Sequence, residues 1–343
     1  MMKAMVLKRP GPVSEERPPL EPAERPIPVP DENEILLKVS VCGVCHTELD
    51  EIEGRTPPPH LPVVPGHQVV GRVEKCGNGI TRFSTGDRAG VGWIFSSCGT
   101  CRFCLGGEEN LCSDFRATGR DADGGYAEYM TVPEPFAFPI PEALADSDAA
   151  PLLCAGAIGY RSLRFSNITG GRRLGLTGFG ASAHLVLKMV RHRYPDVKVY
   201  VFARNQKERE FALELGAVWA GDTADGSPEK CDSIIDTTPA WKPVVEGLAN
   251  LERGGRFVVN AIGKEDADKE QLLRLRYQKH LWLEKEIKSV ANVARRDIAE
   301  FIALAVEMAI TPEVREYSLD DANRALLDLK NGRFRGAKVL RVG

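Results

Sequence analysis

The rhythm of apolar and polar positions changes partway along the chain. Before about Pro151 the apolar residues fall in short runs of strand length, at 5–7, 34–41, 69–73, 88–91 and 125–132. Glycine and proline punctuate them closely, as in an irregular β-rich domain. Residues 17–30 hold enough proline to read as a stiffened connection. Beyond Pro151, strand-like runs at 174–177, 197–202, 233–236 and 256–260 alternate with helix-like segments at 181–194, 207–215 and 244–251. Gly216 marks the end of one helix, and Pro243 suits the first turn of another. That alternation predicts an α/β fold with a parallel, doubly wound sheet. A helix at 301–308 and a strand at 338–341 complete the expected elements.

Composition narrows what such a chain can do. Its 343 residues suffice for about two domains at roughly 150 residues each. Hydrophobic content of 43% and charged content of 27% provide a core that needs no staple. The net charge of -3 argues against a nucleic-acid surface or a polybasic membrane patch; Arg333 and Arg335 read as part of a solvated turn. No run approaches the roughly 20 apolar residues of a bilayer span, and residues 1–10 lack a leader pattern. A cytoplasmic protein without nucleic-acid or membrane partners is expected. Thiols stay reduced there, so the nine cysteines point first to metal.

Four of them form a pattern. Cys98, Cys101 and Cys104 give two overlapping Cys-x-x-Cys spacings, and Cys112 supplies a fourth thiolate. Adjacent thiolates at that spacing turn onto one ion, and four leave no open position, which makes such a zinc structural. An iron–sulfur cluster is the competing occupant, disfavoured because no proline follows the last cysteine and no second set exists.

A second motif carries nucleotide chemistry. Gly178-Phe179-Gly180-Ala181-Ser182-Ala183 follows the apolar run 174–177 and opens a helix. Gly178 and Gly180 permit close backbone approach to a pyrophosphate at the helix N-terminus, and Ala183 is small enough for helix–sheet packing. At the end of the next strand, where NAD enzymes place a carboxylate for the ribose, the chain has Ala203 followed by Arg204. Arg204, Asn205 and Lys207 suit a 2′-phosphate, so NADP(H) is favoured with NAD(H) as the alternative. A solvated charged turn is the bland reading of the same residues.

Read together, Gly43-Val44-Cys45-His46-Thr47-Glu48, Pro65-Gly66-His67, the cysteine lobe, Gly124-Gly125-Tyr126-Ala127-Glu128-Tyr129 and Leu153-Cys154-Ala155-Gly156 closely resemble the zinc-dependent alcohol dehydrogenases of the medium-chain dehydrogenase/reductase superfamily. The motifs keep that family's order along essentially the whole chain. The resemblance implies a GroES-like catalytic domain at 1–153 with the structural zinc lobe at 96–113. It further implies a Rossmann domain at 154–289 and a return to the catalytic domain at 290–343. It implies two zinc ions per chain, the catalytic one on Cys45, His67 and Cys154 with one position open to substrate. Thr47 would bond the substrate oxygen and pass its proton outward, a role compatible with capping a helix that begins near Glu48. His46 would contact the cofactor pyrophosphate, and Trp93 would line the pocket and favour small or slender alcohols. Homodimers or homotetramers are expected.

Two positions depart from the family pattern. Asp50 stands where many relatives end the proton relay in histidine, and a carboxylate of ordinary pKa near 3.9 is a poor base. Gln68 stands where relatives usually carry glutamate, and loss of that charge is expected to leave the zinc more electrophilic. Cys42, Cys76 and Cys231, and His60, His184, His192 and His280, read as packing or surface residues. A zinc-free quinone or enoyl reductase of the same superfamily and a non-catalytic nucleotide-binding sensor are the rival functions.

Overall fold

The computed structural model describes residues 1–332 and 336–343; Arg333 and Arg335 lie outside the described residues. The chain forms two compact units, one from Met1–Cys154 with Val293–Gly343 and one from Ala155–Asn292.

The first unit is built on a mostly antiparallel sheet. Its strands run Val314–Ser318, Ala337–Arg341, Glu34–Val44, Val69–Cys76, Arg88–Val91 and Ala137–Pro139 in spatial order. Tyr129–Pro133 also pairs with Glu34–Val44, from Lys38 opposite Tyr129 to Glu34 opposite Pro133. Ile35, Leu37, Val39, Val69, Val91 and Val132 are buried in one apolar cluster beside this sheet.

Three segments differ from the sequence expectation for physical reasons. Residues 17–30 are not a plain connection, because Leu20–Arg25 pairs antiparallel with Met2–Leu7 and sets Pro22 opposite Met5. A two-stranded ribbon consists of edges alone, where proline is tolerated. The strand expected at 125–132 starts only at Tyr129. Residues 124–126 instead bond across to the segment before His67, with N–H groups of Gly124, Gly125 and Tyr126 donating to the carbonyls of Val64, Gly66 and Pro65. A Cβ at Gly124 would sit 2.1 Å from the Gly66 oxygen, and Gly66 itself has φ +102°, so both must be glycine. The helix expected at 301–308 begins earlier, at Arg295–Glu307, because the Asp297 carboxylate accepts the Ala294 N–H at 2.8 Å.

The second unit is a six-stranded parallel sheet. Its spatial order is Trp219–Gly221, Lys198–Phe202, Arg173–Thr177, Cys231–Asp236, Leu251–Val259 and Glu286–Ser289. Numbered within the unit that is 3-2-1-4-5-6, the doubly wound Rossmann order. Helices Ala181–Arg193, Gln206–Glu214 and Lys242–Asn250 alternate with the strands as expected. The short strands Trp219–Gly221 and Glu286–Ser289 escaped the sequence reading; the second is exposed along its length and mixes charge with a single apolar residue. No helix among the described residues is long and apolar enough to cross a membrane.

Candidate metal centre and nucleotide-binding turn

Three distant segments of the first unit deliver Cys45, His67 and Cys154 to one place. Cys45 is the N-cap of helix His46–Ile52. His67 follows the Gly66 turn that Gly124–Tyr126 clamps. Cys154 lies in a single wide π turn, Leu152–Gly156, a distortion common at functional sites. The two sulfurs are 3.9 Å apart, and His67 Nε2 is 3.4 Å from Cys154 Sγ. Two sulfurs each about 2.3 Å from a tetrahedral zinc are about 3.8 Å apart, so the spacing fits that ion. A shared hydrogen bond from Cys154 holds the Cys45 thiol well below its usual range and pushes Cys154 well above. The pair thus shares one proton, which a metal would displace.

Glu48, which the sequence reading passed over, organises this centre. It is fully buried on the helix that Cys45 caps. Its Oε2 accepts the Cys45 N–H at 2.8 Å, and His67 Nδ1 lies 2.5 Å from its Oε1. Burial alone would lower the His67 pKa, yet the Glu48 and Cys45 charges outweigh it and hold it well above the usual value. The signal was available: an acid three residues after an N-cap is the mark of a capping box. Glu51, one turn on, is 2% exposed, and burial followed by the Glu48 charge pushes it up to about 8. Two carboxyl groups, those of Glu48 and Glu51, therefore lie buried on this helix although position 68 carries none. Gln68 is buried against Gly43, where a Cβ would lie 2.6 Å from its Oε1.

The remaining expected residues divide. Thr47 is buried, with its hydroxyl 3.7 Å from Cys45 Sγ; it is not the helix cap, since Cys45 takes that position. His46 is exposed. The Asp50 carboxylate turns away to Arg55, 2.5 Å from its Nε. Trp93 is buried, stacked near Phe115 with ring centroids 5.2 Å apart. Its neighbour Gly92 lies so close to Leu153 that a Cβ would be 3.3 Å from that residue's carbonyl oxygen.

The lobe is self-contained. Cys104 Sγ is 3.9 Å from Cys98 Sγ and 3.6 Å from Cys101 Sγ, and the four sulfurs lie within 4.8 Å of one another. Backbone N–H groups serve them: Cys101 N–H donates to Cys98 at 3.3 Å and Asp114 N–H to Cys112 at 3.4 Å. The Thr100 and Cys101 N–H groups lower Cys98 to about 6. Elsewhere Cys42 and Cys231 are buried packing residues, and Cys76 is half-buried.

In the second unit, Gly178 follows strand Arg173–Thr177 with φ +74°, and Gly180 caps helix Ala181–Arg193. A Cβ at Gly178 would meet Thr238 at 2.8 Å, whereas one at Gly180 would meet nothing within 4 Å, leaving that side of the turn open to a phosphate. Ala183 is fully buried under the helix. Ala203 is buried at the end of strand Lys198–Phe202, and Arg204 is exposed beside it. Arg209, another residue missed, donates to the carbonyls of Ala203 and Arg204 and so fixes this turn. Asn205 Oδ1 accepts the Lys207 N–H at 2.9 Å as a helix cap, which leaves its Nδ2 donors uncommitted by that bond, and Arg204 and Lys207 are exposed beside it. Thr177, Asp236 and Lys264 form a buried network behind the glycine turn.

Comparison with known proteins agrees with this geometry. Residues 31–142 match the alcohol dehydrogenase GroES-like domain. A probable alcohol dehydrogenase of Mycobacterium tuberculosis is 41% identical, covering 99% of this chain and 97% of that protein. An alcohol dehydrogenase of Geobacillus stearothermophilus is 30% identical over 96% of this chain and 98% of its own. The solved structure of a cinnamyl alcohol dehydrogenase from Sorghum bicolor superposes with TM-score 0.84 at 27% identity, covering 99% of this chain and 97% of that one. The chain belongs to the alcohol dehydrogenase family, the NAD(P)-dependent medium-chain enzymes that interconvert alcohols with aldehydes or ketones.

Proposed function

We propose that this chain oxidises small or slender alcohols, or reduces their carbonyl products, with zinc on Cys45, His67 and Cys154 and with NADP(H) preferred over NAD(H). The observation that carries the reading is the convergence of those three donors at tetrahedral spacing. When bound, the zinc polarises the alcohol oxygen, and the dinucleotide nicotinamide exchanges the hydride. Glu48 accepts the His67 Nδ1 proton, which leaves Nε2 as the ligand atom. Thr47 takes the alcohol proton on Oγ1, a reading supported by its buried hydroxyl 3.7 Å from Cys45 Sγ. Asp50 is a weak next station, because its carboxylate is engaged by Arg55. Trp93 walls the pocket. In the second unit the open turn at Gly178 and Gly180, with Arg204 and Lys207, takes the cofactor phosphates. Cys98, Cys101, Cys104 and Cys112 hold the second zinc. The exposed edge strand Glu286–Ser289, with Tyr277, Trp282 and Ile287 also exposed, supports assembly into a homodimer or homotetramer.

Metal analysis and steady-state rates on an alcohol and aldehyde panel with both cofactors test this. About two zinc ions per chain are expected. One zinc or none, with reduction of quinones or enones, would establish the zinc-free reductase instead; cofactor binding without turnover would establish the sensor. Arg204→Ala should raise KM for NADP(H) roughly tenfold and leave NAD(H) nearly unchanged, as loss of a charged phosphate contact requires. Equal losses would return Arg204 to the solvated surface.

A further inference from the structure

The buried ion pair of Asp236 and Lys264 sits where the winding of the parallel sheet reverses. Strands Arg173–Thr177 and Cys231–Asp236 are neighbours, and the order 3-2-1-4-5-6 runs outward from them on both sides. Open sheets of this kind take a ligand in the crevice beyond the carboxyl ends of those two strands. Thr177 and Asp236 are the last residues of the two strands and lie opposite each other in register. Asp236 is fully buried, and the Lys264 side chain is 9% exposed. Burying two charges is costly, and an apolar pair of similar volume often holds a core as well or better. What an apolar pair lacks is direction.

Each polar atom of the pair is spent on a loop at that crevice. Asp236 Oδ1 accepts the Thr177 hydroxyl at 2.5 Å, the Thr238 hydroxyl at 2.8 Å and the Thr238 N–H at 3.2 Å. Lys264 Nζ donates to Asp236 Oδ2, to the Thr238 carbonyl at 2.7 Å and to the Ala240 carbonyl at 3.0 Å. An ammonium has three protons, so Lys264 keeps none for a ligand and acts through what it holds. The Glu265 N–H adds a bond to the Pro239 carbonyl at 2.8 Å. The glycine turn rests on the same body. Thr237 donates both its N–H and its hydroxyl to the Thr177 carbonyl at 3.0 Å. A Cβ on Gly178 would meet Thr238 at 2.8 Å and the Thr237 hydroxyl at 3.0 Å. Segments that follow three different strands are thereby locked together.

We propose that Asp236 and Lys264 are positioning residues for the dinucleotide, holding the Gly178 turn where its backbone meets the pyrophosphate. The inference rests on the reading that this turn takes the cofactor phosphates. The turn that carries Arg204 is fixed separately, by Arg209 donating to the Ala203 and Arg204 carbonyls. The ion pair therefore governs the pyrophosphate and leaves the adenosine end alone.

The experiment measures equilibrium binding to the zinc-loaded enzyme. NADPH and NADH are followed by their fluorescence, and adenosine 2′-phosphate, a fragment without a pyrophosphate, by calorimetry. Lys264→Met should raise the Kd of both dinucleotides about tenfold, as a turn displaced by a fraction of an ångström would. The Kd of the fragment should stay within about twofold, whereas a merely loosened unit would weaken all three alike. Lys264→Met strands a buried carboxylate, so Asp236→Asn combined with Lys264→Met, which removes both charges, is measured beside it and should show the same split. Thr177→Val keeps the ion pair and loses only its tie to the glycine strand, for which about threefold is expected. Where wild type takes NADH alone, adenosine replaces the fragment. Unchanged dinucleotide affinity in both Lys264 variants, or losses equal to those of the fragment, overturn the proposal. A wild type that binds the fragment but neither dinucleotide rejects the pyrophosphate turn and the cofactor reading with it. Normal wild-type binding with indifferent variants rejects the ion pair alone.

Discussion

The two cysteine clusters use the same ligand type and are built in opposite ways. In the lobe, four sulfurs come from one short segment and are served by its own backbone N–H groups. In the other cluster, candidate ligands up to 109 residues apart meet, and the group beside His67 is a carboxyl rather than an amide. Backbone donors neutralise thiolates and steady them. A buried carboxylate on the ligand histidine orients the ring and raises its basicity. The difference teaches that a closed structural site can be local, whereas a reactive one needs supports with several charge states, which only separate elements can bring together.

Substitutions can break that contrast, and the largest effect is expected at Cys154. Cys154→Ala should cut kcat by about 10³-fold or more, since an ion that contributes several kcal/mol is lost. Cofactor binding, read by NADPH fluorescence, should persist; retained turnover would reject Cys154 as a ligand. In the lobe, Cys101→Ser should instead act on stability. Melting temperature should fall by several degrees, at about 2–4 °C per kcal/mol for a domain of this size. Rates of the surviving folded enzyme should hardly change, and the reverse pattern would erase the distinction between the two sites.

Glu48→Gln is subtler. The amide keeps the shape but not the charge, and zinc affinity or kcat should drop about 10- to 100-fold. An unchanged zinc dissociation constant would show that the His67 contact is incidental. The smallest effect is expected for Gln68→Glu, within about threefold in kcat, because Glu48 already faces His67 and Glu51 is close by. A change of tenfold or more would restore the charge argument for position 68.

Legibility in the sequence followed the range of the interactions. The lobe was readable because its four ligands lie between Cys98 and Cys112, and spacing alone encodes the geometry. The strand–turn–helix at Gly178 was readable for the same reason. Cys45, His67 and Cys154 were legible through resemblance, since no local pattern joins residues so far apart. Glu51 carried no signal, because burial of an acid depends on what packs over it. The Leu20–Arg25 strand was hidden by its prolines, and the late start of the strand at Tyr129 was obscured because Gly124–Tyr126 spends its hydrogen bonds on the loop before His67. Asn205 suits a phosphate pocket and also a helix cap, and its Oδ1 takes the second role, which a side chain with separate donor and acceptor atoms can combine with the first.

The double duty of Glu48 has a consequence for the lifetime of the protein. A seven-residue helix such as His46–Ile52 is too short to persist unaided, and its first turn is tied down by the carboxylate that also grips His67. Fraying of that turn and release of the imidazole are therefore one event. Each such opening also bares the Cys45 thiolate, the most acidic thiol of the pocket and so the first prey of peroxide. In the metal-free protein, opening of this first turn is thus expected to expose Cys45 to oxidation while the rest of the fold stays in place.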